Sequence, residues 1–120
     1  MTTKYELVMY GRTMPCPFIT TAKRVLEREG VPYHELFIDR DKVYETRVLE
    51  WTGFLSVPTL IIAAPGELLP YEPPAPLDKG ASPRGINRGS MITEANEEEL
   101  MAWLRQHHLI HPQEIKRQEV

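Results

Sequence analysis

Cys16 is the only cysteine of the 120-residue chain, and it stands in Met14-Pro15-Cys16-Pro17-Phe18-Ile19. A thiolate is the nucleophile of thiol–disulfide exchange, so the local electrostatics of this residue decide what it can do. The run Tyr5–Tyr10 just before it reads as a strand, and Gly11 to Pro15 breaks that pattern. After Pro17 the apolar residues Phe18, Ala22, Val25 and Leu26 recur at helical spacing. Pro17 suits a first helical turn, where a missing N–H costs nothing. Cys16 is therefore expected at or just before a helix N-terminus, where free N–H groups and the macrodipole favour an anion. A lone cysteine in a reduced protein is most often a small buried hydrophobe. Flanked by two prolines at a helix start, this one is expected to be exposed and activated.

The elements that must position it follow in order. In the first strand, Leu7 and Met9 face one way and Val8 and Tyr10 the other, which fits a strand covered on both sides. The first helix is predicted from about Pro17 to Glu29, ending at Gly30 with Pro32 beyond. Tyr33–Ile38 is the second strand, and the β-α-β length makes the two strands parallel. Asp41 caps a second helix from about Lys42 to Thr52, with Tyr44, Val48 and Trp51 as its apolar stripe and Gly53 as its end. Thr59–Ala63 is a third strand, entered through Phe54-Leu55-Ser56-Val57-Pro58. Pro65-Gly66 signals a turn, so Leu68–Tyr71 is expected to return as a fourth, antiparallel strand at the sheet edge. From Glu72 to about Thr93 prolines and glycines alternate and no apolar period survives, which predicts a long loop. Asn96 and Glu99 make a capping box for a last helix that buries Leu100, Trp103 and Leu104. His111–Val120 reads as a frayed polar tail.

Composition narrows the function. The length is that of one domain with a real core, covering residues 1–120. With 14 basic against 17 acidic residues there is no broad basic surface, which argues against nucleic-acid binding. One cysteine excludes an internal disulfide framework. The N-terminal residues lack an apolar signal core and no run reaches a membrane span, so a cytoplasmic location without membrane contact is expected. There Cys16 stays reduced.

The order β-α-β-α-β-β-α, with a cysteine after the first strand and a proline opening the third, describes an α/β, thioredoxin-like domain. Over roughly Lys4 to Ala63 the chain resembles a glutaredoxin. The resemblance is carried by Tyr10, Cys16-Pro17-Phe18, Gly30-Val31-Pro32-Tyr33, Thr52-Gly53 and Ser56-Val57-Pro58. It implies a four-stranded mixed sheet flanked by helices, with a cis proline at Pro58 facing the cysteine. It also implies that Val57 presents its backbone to glutathione as a short added strand. Phe18 would sit beside the thiol, and Arg12 would stabilise the thiolate and pair with a substrate carboxylate. The implied partners are glutathione or another low-molecular-weight thiol, and glutathionylated or disulfide-containing proteins.

The chain also departs from the family pattern. Ile19 replaces the second cysteine, so exchange must run through a mixed disulfide resolved from outside. Pro17 and Ile19 stand where the Cys-Gly-Phe-Ser signature has glycine and serine, which argues against an iron–sulfur cluster. The loop before Cys16 is one residue longer. The family's Gly-Gly-Asp segment is displaced by the proline-rich insert, with Gly89-Ser90 as a faint substitute. The histidines 107, 108 and 111 lack acid or cysteine partners at ligand spacing, so no metal site is expected. The competing reading is a thioredoxin-fold interaction module, whose insert meets a partner and whose cysteine is inert.

Overall fold

The computed structural model describes residues 5–110, and the tail expected at 111–120 lies outside them. Among the described residues the elements are β1 (Glu6–Gly11), α1 (Pro17–Arg28), β2 (Tyr33–Phe37), α2 (Lys42–Thr52), β3 (Thr59–Ala63), β4 (Met91–Thr93) and α3 (Glu97–Gln106). The strands form one sheet in the order β2-β1-β3-β4. β1 is parallel to β2 and antiparallel to β3, and β4 is antiparallel to β3. This is the mixed, helix-flanked α/β sheet of the thioredoxin-like fold, as expected.

Alternation along the strands builds two cores. Leu7, Met9, Leu60, Ile62 and Ile92 pack against Ala22, Val25 and Leu26 of α1 and Leu100, Trp103 and Leu104 of α3. On the other face Val8, Tyr10, Ile61 and Met91 meet Val48 of α2, with Tyr44 and Trp51 packed around them. The predicted caps hold: Asp41 accepts the Val43 N–H at 2.9 Å, and Gly53 ends α2 in the left-handed region at φ 79°. Asn96 and Glu99 exchange side-chain-to-backbone bonds of 2.8 Å, closing the capping box of α3. The acids of the first turn of α3 also meet α1, since Glu97 pairs with Arg24 at 2.9 Å and with Arg28 at 2.8 Å.

The fourth strand is a correction. Leu68–Tyr71 is not a strand, although the Tyr71 N–H does reach the Ile62 carbonyl at 2.8 Å. The edge of β3 is taken by Met91–Thr93 instead, inside the stretch expected to be loop throughout. These three residues are fully buried, so the pairing that covers their apolar side chains wins over the pairing closer in sequence. The chain between β3 and β4 is tied down by long-range bonds: Ala75 and Arg88 are joined N–H to carbonyl at 3.0 Å, and the Ser90 hydroxyl donates to the Glu72 carbonyl at 2.8 Å.

Where α3 ends, the His107 Nε2–H donates to the Gly89 carbonyl at 2.7 Å, and the ring stands edge-on to Trp103. Burial holds this imidazole below its ordinary value of 6.5; the Gly89 bond and Glu72 act the other way, and His108 adds slightly to the lowering. A histidine depressed in the folded state stays neutral while the unfolded chain already takes up a proton. Its contribution to stability is therefore complete above 6.5 and is lost as the pH falls from there through the lower folded value. Thermal unfolding followed from about pH 7.5 to 5 should show the midpoint falling in the wild type and falling less in His107→Gln. Equal slopes would remove His107 from this role.

Candidate active site

Register brings the site together. Tyr10 at the end of β1 lies opposite Thr59 at the start of β3, so the loop after Gly11 and the segment before Thr59 leave the sheet side by side. The first of these loops is anchored by Asp39, whose carboxylate accepts the Thr13 N–H at 3.0 Å and the Thr13 hydroxyl. These bonds, the hydroxyl first, hold the Asp39 carboxyl below its usual value.

Cys16 is the N-cap of α1, with extended backbone at φ −155° and ψ 129°, and Pro17 opens the helix. Its carbonyl accepts the Thr20 N–H at 2.9 Å, while its side chain makes no capping bond. The sulfur instead lies 3.8 Å from the Val57 carbonyl. No acid stands in the first turn of α1, so the helix supplies no carboxylate of its own to its N-terminus.

The sulfur is not exposed as expected. Cys16 is only 8% accessible and belongs to the core cluster with Ile19 and Val57. The helix start is tucked beneath the entry to β3, and prolines on both sides of the cysteine fix its backbone without lifting its side chain outward.

Val57 is buried and the Val57–Pro58 peptide is cis. The Pro58 carbonyl accepts the Glu94 N–H at 2.9 Å, and next to it the Thr59 and Thr93 hydroxyls are 3.0 Å apart. Phe18 is half-buried and packs on the cluster that holds Cys16. Arg12 is exposed and meets no polar partner among the described residues. The structure thus brings Cys16, Phe18, Val57 and Pro58 together and leaves Arg12 at the rim.

Two residues that the sequence reading missed stand at this site. Arg84 lies with its guanidinium carbon 5.0 Å from the Phe18 ring centre and its Nε 3.3 Å from Glu94 Oε1. Glu94 adopts a positive φ of 48°, uncommon for a residue with a side chain. Gly89-Ser90, the substitute considered for the family's glycine pair, lies beyond the Met91 end of β4, away from Pro58. The residues that follow β4 at the site are Glu94-Ala95-Asn96. The capping box of α3 was the available signal, because only two residues separate the short run Met91-Ile92-Thr93 from its Asn96 cap. Among the described residues no group of three or more His, Cys, Asp or Glu side chains could hold a metal ion.

Residues 7–65 match a family model described as Glutaredoxin, a span that holds β1 to β3, Cys16 and Pro58. No curated protein matches the chain.

Proposed function

This chain is a glutaredoxin-like protein of the thioredoxin superfamily, and from that premise we propose that it is a monothiol oxidoreductase acting on glutathione mixed disulfides through Cys16. The observation that carries the reading is the Cys16 sulfur at the N-terminus of α1, 3.8 Å from the Val57 carbonyl. That placement puts a nucleophile in the field of unpaired helix N–H groups and beside the backbone that would hold its substrate. Supporting it, the Val57 N–H donates to no group among the described residues, which leaves an unpaired donor for an extended peptide to engage.

The exchange has two steps. The Cys16 thiolate attacks the glutathione sulfur of a protein–glutathione disulfide; the Cys16–glutathione bond forms, and the protein thiolate leaves and takes a proton. A second glutathione thiolate then attacks the sulfur of the bound glutathione, which releases Cys16 and oxidised glutathione. Ile19 stands where a resolving thiol would be, so both electrons come from external glutathione. A reducing, cytoplasmic setting belongs to this proposal.

One observation favours the interaction module, namely the 8% exposure of Cys16. A single experiment separates the two. Reduced protein is incubated with oxidised glutathione and weighed intact, with urea-unfolded protein as control. One glutathione per chain on Cys16, removed by added reduced glutathione, is the expected result. Modification of the unfolded chain alone would refute the enzymatic reading.

A further inference from the structure

The long segment between β3 and β4 returns to the thiol end of the sheet at Arg84, and its backbone is fixed there. Arg84 bridges to Thr93, and the Gly85 N–H donates to the Thr93 carbonyl at 2.7 Å. Gly85 is required at this crossing, since its φ is +73° and a Cβ would come within 2.7 Å of the Glu99 carboxylate. The side chain is held as well. It stacks on Phe18, two residues beyond Cys16, and pairs with Glu94, whose N–H is bonded to the Pro58 carbonyl. The Arg84–Glu94 pair therefore spans both walls of the site, from the first turn of α1 to the start of β3.

The guanidinium is only partly engaged. Glu94 meets Nε, and among the described residues the two terminal nitrogens have no polar partner while the side chain is 60% exposed. A planar fork stacked on a ring with one edge free is preorganised for a carboxylate. On the reading of Cys16 given above, we propose that Arg84 is a specificity-determining residue. Its free edge pairs with a carboxylate of the thiol peptide handled by Cys16, so that thiols bearing carboxylates are preferred over neutral ones. Arg12, exposed and without a polar partner among the described residues, has no such preparation.

The probe is S-methylglutathione, a thioether that keeps the carboxylates and cannot exchange, with its diethyl ester as the form that lacks them. Both are titrated calorimetrically into Cys16→Ser and into Cys16→Ser carrying Arg84→Ala or Arg84→Lys. The acid should lose about fivefold to tenfold in affinity with Arg84→Ala. It should regain part of this with Arg84→Lys, and the ester should bind all three proteins alike. Equal losses for acid and ester, no loss for either, or no binding of the acid at all would overturn the assignment. Turnover of the wild type is read separately. Arg84-dependent binding without exchange activity would remove the redox reading and leave Arg84 in place, whereas exchange activity with Arg84-independent binding would do the reverse.

Discussion

Cys16→Ser is expected to lower the reduction of a glutathionylated peptide by roughly a thousandfold or more, to the rate set by glutathione alone. The loss is large because no other residue can take over. The chain has no second cysteine, and a serine hydroxyl in the same place neither ionises near neutral pH nor forms a bond that glutathione can cleave. The fold should survive. Among the described residues the sulfur makes one long polar contact, 3.8 Å to the Val57 carbonyl, and a hydroxyl can donate to the same acceptor. The N-cap even gains, because serine is among the preferred residues there and Cys16 makes no capping bond. Circular dichroism and the unfolding midpoint should thus stay near the wild type while turnover vanishes. Unchanged turnover in a folded Cys16→Ser protein would exclude the proposed exchange.

The same contrast between local and long-range causes explains what the sequence disclosed. β1, β2, β3 and the three helices were legible because their determinants lie within a few residues of one another: the alternation of Leu7, Val8, Met9 and Tyr10, the Asp41 cap, Gly53, and the Asn96–Glu99 box. Cys16 and Pro58 were legible for the same reason, as punctuation at the ends of those elements. β4 was not, because a three-residue strand carries little periodicity and a Pro65-Gly66 turn pointed to a nearer partner. Arg84 and Glu94 were invisible for a stronger reason. Their positions depend on a bridge to β4 and a bond to Pro58, and neither partner is adjacent in sequence. The burial of Cys16 belongs to the same class, since it is set by the Val57 segment, forty-one positions away.

Arg88 is the extreme case, and Arg88→Met is expected to destabilise the protein by about 2–4 kcal/mol. This arginine is 94% buried, with 6% accessibility, and no carboxylate neutralises it among the described residues. Its partners are carbonyls: Nε donates to Ala75 at 2.7 Å and Nη1 to Trp51 at 2.6 Å, with the Met91 sulfur 3.5 Å from Nη1. The Trp51 carbonyl is one of the orphan acceptors in the last turn of α2, a turn that holds no basic residue of its own. Arg88 therefore brings a cation from the insert to the negative end of that helix, where the macrodipole welcomes it. Burial lowers its affinity for a proton, as it must for a desolvated cation, and this cost opposes the gain from the bonds. Methionine would fill much of the space and remove the desolvation cost, but it would leave the carbonyl of half-buried Trp51 without a donor at about 1–3 kcal/mol and return the carbonyl of exposed Ala75 to water. The balance favours arginine because both lost bonds are charge-assisted. Arg88→Lys, able to serve one carbonyl in place of two, should fall between. Urea midpoints at constant slope measure the ranking. A methionine variant as stable as the wild type would mean that desolvation cancels the bonds, and the backbone ties of Ala75 and Ser90 would then suffice to hold the insert.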